Sequence, residues 1–213
     1  MMKQFRLDQL ADSIFAIVMT ILVFEIRVPE YAGSINEGTL INSLISMSPL
    51  FLSYLLSFSL IFTYWRSHHF IASVLVKNID TRFANLNGIF FFLVGLVPFS
   101  SHLLGKYIYT ETAVIFFALN IIFIGLSLFA MRSYAIRSQT IENTPFTRTE
   151  NEHAHMHILF PIISAILAIC VSFFSINIAI VLFTIAILFN LSNNGTKYIF
   201  FFIDLFRKKE KII

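Results

Sequence analysis

Residues 6–29 read RLDQLADSIFAIVMTILVFEIRVP, a run that is largely apolar from Leu10 to Val28 and closes at Pro29. A helix needs about 20 predominantly apolar residues to cross a bilayer, so this stretch predicts a membrane span. No small-residue cleavage motif follows it, which argues against a cleaved signal peptide. Asp12 follows Arg6 by six residues, or about 9 Å along a helix axis. An ionisable side chain at that depth in a membrane span is typical of a functional site.

The composition of the whole chain agrees with this prediction. Of the 213 residues, 57% are hydrophobic and only 13% are charged, whereas soluble domains carry about 25% charged residues. The chain has 26 Phe but only 7 Gly and 5 Pro, which excludes a disordered or loop-rich protein. The single cysteine, Cys170, excludes an internal disulfide framework and a cysteine-based zinc cluster. We therefore expect an all-α polytopic protein of a cell membrane. The composition, which is poor in Gly and rich in Phe, Ile and Asn, favours an AT-rich bacterial source, and hence a bacterial plasma membrane.

The apolar runs predict six transmembrane helices. Their expected bounds are 7–28, 44–66, 83–104, 112–136, 157–174 and 176–193. Ser175 and Asn177 mark the turn that divides the last two runs. Residues 1–195 are then one six-helix membrane domain, and residues 196–213 form a basic amphipathic cytoplasmic tail at the membrane surface.

The distribution of Lys and Arg predicts the orientation. With the N-terminus inside, 13 basic residues fall on the cytoplasmic side and only Arg27 and Lys106 fall outside. This is a strong positive-inside bias, and it fits six spans with both termini cytoplasmic. The net charge of +3 is explained by that topology, and the basic tail is suited to contact with anionic membrane lipid. The sequence has no basic stripe interleaved with aromatic residues, so we expect no nucleic-acid partner.

Polar side chains collect at the inner ends of the first three predicted helices. Trp65 precedes His68 and His69 by one helical turn, so the three share a face. We predict an inner polar network of Arg6, Asp12, Trp65, His68, His69 and Asn85, with Asn87 at the same level. A histidine paired with Asp12 would make this network sensitive to pH. The simpler alternatives are an interfacial tryptophan with solvated histidines and a carboxylate favoured by the helix dipole.

The centre of the first span has a second face, formed by Ile17, Thr20, Ile21, Phe24 and Val28 at spacings of three and four. Spacing alone favours ordinary helix packing, with the Thr20 hydroxyl bonded to its own backbone.

Motifs for catalysis or for a cofactor are missing from the sequence. It contains no GxSxG, HExxH, P-loop or GxGxxG sequence and no TVGYG potassium filter. Residues 153–157 read HAHMH, which offers two histidines at i and i+4 but no third ligand. We therefore expect no enzyme, no catalytic residue, no metal site and no cofactor.

Four stretches of the sequence carry a further signal. The first is Arg6 to Asp12 together with the run FAIVMTILVFEIRVP, and the others are SYLLSFSLIFTYWRSHH, NLNGIFFFLVGLVPFSSHLLGKY and FALNIIFIGLSLFAMRSYA. Together they resemble the transmembrane protein 175 family of potassium channels. The family motif of Arg, three variable residues and Phe-Ser-Asp is similar to Arg6 to Asp12, with Leu10 and Ala11 in place of Phe and Ser. The resemblance covers residues 4–136.

The resemblance implies a homotetramer of six-helix subunits in which the first helix of each lines a central pore for potassium and other monovalent cations. It places the constriction at Ile17 and further pore-lining layers at Thr20, Ile21 and Phe24. A ring of Ile17 side chains would gate by dewetting, and selectivity for potassium over sodium would be modest. The inner polar network would fasten the pore helix.

The alternative hypothesis is a proton- or cation-coupled secondary transporter. In that case Asp12 and Asn120, which lies near the middle of the fourth span, would form an intramembrane site.

Overall fold

The computed structural model describes residues 4–28, 36–142 and 148–191. Its elements are helices, here numbered α1 (Gln4–Ile21), α2 (Glu37–Ser46), α3 (Ser48–His69), α4 (Thr81–Gly95), α5 (Val97–Lys106), α6 (Glu111–Arg137), α7 (Arg148–Ser172) and α8 (Ile176–Leu191). A 3-10 turn, Leu22–Glu25, continues α1, and a π-helical segment, Phe70–Leu75, continues α3.

The described residues include five helical stretches that are long and apolar enough to cross a membrane. These are Gln4–Glu25, Ser48–Leu75, Thr81–Lys106, Glu111–Arg137 and His155–Ser172, and Ile176–Ile187 is a shorter apolar helix. The chain is therefore an all-α membrane protein. The predicted tail, 196–213, and the last two residues of the predicted helix 176–193 lie outside the described residues.

The first helix begins before residue 7 and changes geometry before residue 28. Its α-helical part ends at Ile21, and the backbone N–H of Ile26 bonds to the carbonyl of Val23 at 3.1 Å, three residues back. Ile26 is extended, and Val28 precedes Pro29, a position that disfavours helical geometry. The tighter turn over Leu22–Glu25 is how the helix ends before that proline.

The stretch predicted as one helix over 83–104 is divided into α4 and α5 at Leu96. Pro98 lies in the first turn of α5 and has no N–H to continue the ladder of α4. At the other end of α4, Asp80 caps the helix by accepting a hydrogen bond from the backbone N–H of Phe83 at 2.8 Å. The stretch predicted as a helix over 44–66 is likewise divided between α2 and α3, with Pro49 in the first turn of α3.

One face of α1 packs into the core. Its buried residues lie three or four apart, which is one stripe of a helix: Leu7, Ala11, Phe15, Val18 and Leu22. Phe15 contacts Phe90 of α4, with ring centroids 5.8 Å apart. This packing fixes the rotation of α1 about its axis, and so decides which of its residues face outward.

Candidate functional site

The outward face of α1 carries a seam of six exposed side chains. Their spacing alternates between four and three residues, and we call them the α1 seam: Arg6, Leu10, Ser13, Ile17, Thr20 and Phe24. An alternation of four and three is the heptad spacing by which helices pack against one another around a common axis. Of the predicted pore residues, Ile17 is 56% exposed, Phe24 66% and Ile21 39%. Ile21 lies beside the seam.

The α1 seam alternates polar and apolar layers along the helix. Thr20 donates its hydroxyl proton to the backbone carbonyls of Ala16 and Ile17, both at 2.9 Å. Since the proton is used within the helix, the oxygen presents its lone pairs outward. The exposed surface of Thr20 is therefore an acceptor, which suits a cation or a water molecule. Ile17 and Phe24 flank it with apolar side chains.

The inner end of α1 is joined to α3 by a side-chain hydrogen bond. The indole N–H of Trp65 donates to Asp12 Oδ1 at 2.8 Å. A hydrogen bond to a charged acceptor is among the stronger kinds in proteins. The Trp65 ring stacks on His69, with centroids 5.8 Å apart and an interplanar angle of 24°. Asp12, Trp65 and His69 therefore form one connected group.

His68 belongs to a separate, buried group. Its Nε2 lies 2.7 Å from Asn87 Oδ1, and its ring stacks on Phe90 with centroids 5.1 Å apart. The Asn87 amide donates to the carbonyl of Phe83 at 2.8 Å, so its oxygen faces the imidazole and His68 Nε2 is the donor. Neither His68 nor His69 forms an ion pair with Asp12 within the described residues. The idea of a histidine–Asp12 pair is not supported by this arrangement.

Two residues of the predicted network stay on the surface of the chain. Arg6 is exposed and makes no hydrogen bond or ion pair with another described residue. Asn85 is also exposed, and Asn87, two residues later, is the one that turns inward. Arg6 and Asn85 are thus outside the hydrogen bonds that join α1, α3 and α4.

Gln4 is a residue that sequence reasoning missed. Its amide donates to the carbonyls of Ala72 and Val76, at 2.7 and 2.6 Å. Both acceptors lie in or directly after the π-helical segment, where backbone carbonyls lack helical partners. Gln4 therefore fastens the first turn of α1 to the π-helical segment that follows α3. A polar residue one turn before the predicted start of the first helix, at residue 7, was the only signal.

The other end of α1 and the middle of α6 carry two further polar contacts. His102 Nδ1 of α5 lies 2.8 Å from Glu25 Oε2, which ties the 3-10 turn to α5. Asn120 donates to Ser100 Oγ at 2.9 Å within the core. Asp12 and Asn120 therefore have different partners, on α3 and on α5. Within the described residues no group of three or more histidine, cysteine or acidic side chains could hold a metal ion.

Known proteins share this arrangement of helices. The family profile described as endosomal/lysosomal potassium channel TMEM175 matches residues 6–98, which include the α1 seam, Trp65, His68 and Asn87. A protein of Chamaesiphon minutus named potassium channel is 32% identical over 199 residues, which cover 89% of this chain and 95% of that relative.

The chain belongs to the TMEM175 family. A potassium channel of a Chryseobacterium species is 29% identical over 180 residues, covering 84% of this chain and 88% of the relative. The fold is similar to the crystal structure of a lysosomal potassium-selective channel TMEM175 homolog from Chamaesiphon minutus. The TM-score is 0.75 at 27% identity, over 88% of this chain and 95% of that one. The resemblance found in the sequence is confirmed. Since the family consists of ion channels, the protein is not an enzyme.

Proposed function

We propose that this chain is the subunit of a potassium-permeable cation channel, a homotetramer in which α1 of each subunit lines a central pore. The names of its relatives and the description of its family support potassium as the permeant ion. The observation that carries the proposal is the α1 seam, a heptad-spaced row of exposed side chains on a helix whose opposite face is buried.

The composition of the seam favours a partner copy over lipid as its neighbour. Arg6, Ser13 and Thr20 alternate with Leu10, Ile17 and Phe24 along the row. Polar side chains that face hydrocarbon are unfavourable, and in membrane helices they face the bundle interior or a water-filled cavity. Four copies of the seam around one axis would give rings of alternating polar and apolar character, as a narrow aqueous path requires.

Two layers of that path have distinct roles in the proposal. A ring of Ile17 side chains is an apolar constriction that gates by dewetting. A ring of Thr20 hydroxyls would offer acceptor oxygens to a partly dehydrated cation, because each hydroxyl proton is used inside its own helix. Such a ring is sparser than a carbonyl filter, so selectivity for potassium over sodium would be modest.

The groups around Asp12 and His68 fasten the pore helix in this account. The Asp12–Trp65 bond joins α1 to α3, and the His68–Asn87 bond joins α3 to α4. They hold the rotation of α1 that directs Ile17 outward. Arg6 and Asn85 are exposed and have no partner among the described residues, so we propose that they make contacts between subunits.

In the proposed topology, six spans cross the plasma membrane of a bacterial cell, and both termini lie in the cytoplasm. The shorter apolar helix Ile176–Ile187 supplies the sixth span, and the 13-to-2 distribution of basic residues supports the orientation. A coupled transporter using Asp12 and Asn120 is the weaker alternative, because the two residues belong to separate hydrogen-bond groups.

The proposal is tested by potassium flux from liposomes that hold the purified protein. Ile17→Asn is expected to raise flux or weaken the preference for potassium, because an amide ring wets the constriction. Ile163→Asn is the matched control, since Ile163 of α7 is 54% exposed, close to the value for Ile17. No wild-type flux under any potassium gradient, with Ile17→Asn equally silent, would favour the transporter and make Asp12 the next residue to change.

A further inference from the structure

An open cleft of about 630 Å³ lies between the start of α4 and the end of α6. The two helix ends and the loop after α6 line it: Asp80, Thr81, Arg82, Tyr134, Arg137, Ser138, Gln139 and Thr140. It is separate from the α1 seam and from the residues that fasten α1. Its volume is large enough for a phospholipid headgroup, since ligand pockets commonly span about 300–1,000 Å³.

The cleft has a fixed polar floor. Asp80 Oδ2 accepts hydrogen bonds from the hydroxyls of Tyr134 and of Thr140, the latter at 2.7 Å. Ser138 and Thr140 pair through their hydroxyls at 2.7 Å. These bonds join the loop before α4 to the loop after α6, so the lining is held in place without a ligand.

The one carboxylate in the cleft is already occupied by donors. Burial acts to raise the pKa of the Asp80 carboxyl, but the hydrogen bonds from Tyr134, the Phe83 backbone and Thr140, together with the positive charge of Arg82, hold it below its usual value. Asp80 is therefore ionised at neutral pH, and its charge is spread over those donors.

The two arginines of the cleft do not take part in those hydrogen bonds, and Arg82 acts on Asp80 through its charge alone. Arg82 and Arg137 are exposed, and neither forms an ion pair or a hydrogen bond with another residue in the part of the chain that the structure describes. Guanidinium groups stay charged at all physiological pH and bind phosphate oxygens in a bidentate manner. Hydroxyl and amide groups of Thr81 and Gln139 stand beside them as further polar partners.

The position of the cleft matches the depth of lipid phosphates. It lies at the first turn of one membrane-spanning stretch, Thr81–Lys106, and at the last turn of another, Glu111–Arg137. Basic pockets at that level between membrane helices bind anionic headgroups. We propose that this cleft binds a phosphate monoanion through Arg82 and Arg137, as presented by an anionic phospholipid headgroup.

Occupancy of the cleft would act on the base of α1. The loop that forms one wall continues back to Val76, whose carbonyl accepts the hydrogen bond from Gln4. The same loop is held to the far wall by the bond from the Lys77 N–H to the Glu142 carbonyl at 2.9 Å. A bound headgroup therefore stabilises the segment on which the first turn of α1 rests. The cytoplasmic location rests on the proposed topology, whereas the binding itself does not.

The test is the thermal unfolding midpoint of the purified full chain in detergent, titrated with dioctanoyl phosphatidylglycerol. The wild type is expected to be stabilised saturably, and Arg82→Gln/Arg137→Gln to need about tenfold more lipid for the same shift, since it loses the bidentate contacts. Arg66→Gln/Lys77→Gln is the matched control, because it removes the same charge from residues that do not line the cleft. It is expected to behave as wild type.

Two comparison ligands distinguish a lipid headgroup from free phosphate as the source of the bound phosphate. Dioctanoyl phosphatidylcholine, which carries no net charge, is expected to give no saturable shift. A saturable shift with inorganic phosphate alone, lost in Arg82→Gln/Arg137→Gln, would support the phosphate site but assign it to free phosphate. Equal lipid dependence in the two double variants, or an equal shift with phosphatidylcholine, would overturn the proposal. Each of these outcomes is independent of whether the protein conducts potassium.

Discussion

Trp65 is the residue at which the link between α1 and α3 can be isolated. It is the single tryptophan of the chain, and its indole N–H donates to Asp12 at 2.8 Å. Trp65→Phe keeps an aromatic ring but removes that donor. We expect it to lower the free energy of unfolding by about 1.5 kcal/mol, the value for a weaker hydrogen bond to a charged group. In a chain of this size, such a loss lowers the thermal unfolding midpoint by about 3–6 °C.

The Asp12→Asn variant serves as the control for that prediction. If the bond carries the effect, Trp65→Phe changes the midpoint much less in an Asp12→Asn background than in the wild type, because the two changes remove one interaction. Full additivity of the two variants would contradict it. The emission of the single tryptophan in Asp12→Asn reports the same contact without a second substitution.

The sequence predicted which residue types lie at the inner helix ends, but it did not predict which side chains pair with one another. Asp12, Trp65, His68 and the two asparagines were expected together at the inner helix ends. The structure pairs Asp12 with Trp65, and His68 with Asn87 rather than with Asn85. That choice depends on the rotation of α4, which is set by contacts of its phenylalanines with other helices. Neighbouring asparagines in one sequence carry no information about that rotation.

At the scale of helices, Gly125 marks a close approach between α6 and α7, whereas Gly88 lies at an open position of α4. A Cβ at Gly125 of α6 would lie 2.5 Å from Ile162 Cγ1 of α7, whereas a Cβ at Gly88 of α4 meets nothing within 4 Å. We expect Gly125→Ala to lower the free energy of unfolding by about 1–3 kcal/mol through overpacking.

Gly88→Ala is the matched control for that substitution. It is expected to be neutral, or to raise stability by up to about 1 kcal/mol, because alanine is the better helix former. Thermal unfolding of both variants in detergent checks the pair. If Gly125→Ala unfolds at the same temperature as Gly88→Ala, the close contact between α6 and α7 is absent.

Because the Asp80 carboxylate joins two loops, we expect the stability of the chain to depend on pH. The pKa of Asp80 is lower in the folded chain than its usual value, because the donors described above outweigh the effect of burial. Its contribution to stability is therefore full above the ordinary aspartate value of about 3.9 and is lost as pH falls through the lower folded value. We expect the midpoints of wild type and Asp80→Asn to converge as pH is lowered from 5 to 3. A difference that grows in acid would contradict this.

Periodicity and apolar length were sufficient to predict an all-helical membrane protein with several long apolar helices, but not how each helix ends. The break of the third apolar run at Leu96 directly precedes the first turn of α5, which contains Pro98, and the 3-10 turn over Leu22–Glu25 lies shortly before Pro29 in the sequence. Both prolines were visible in the sequence. When length is the only criterion, a long apolar run that contains one proline is assigned to a single helix. The break at Leu96 was therefore not predicted.

At the scale of the whole molecule, the proposed pore is a property of four chains. The sequence of one chain shows that α1 has two faces, and burial of Leu7, Phe15 and Leu22 shows which face the other helices cover. In the proposed tetramer, the α1 seam is covered by other copies of the chain. The seam was predicted in part, as Ile17, Thr20 and Phe24, through the family resemblance. Its continuation to Ser13, Leu10 and Arg6 emerges only from the exposed positions of the folded helix.

The most direct measurement is block of potassium flux by Cd²⁺ in a chain whose single cysteine, the exposed Cys170, is replaced by serine. In that background, Ile17→Cys would place four thiols around the proposed constriction, and Ile163→Cys serves as a control of similar exposure. Because converging thiolates bind soft metal ions tightly, we expect Cd²⁺ to reduce liposome flux at least about tenfold in Ile17→Cys. We expect no change in Ile163→Cys. Flux through Ile17→Cys that Cd²⁺ leaves unchanged, or an equal block in both variants, would contradict a pore lined by α1.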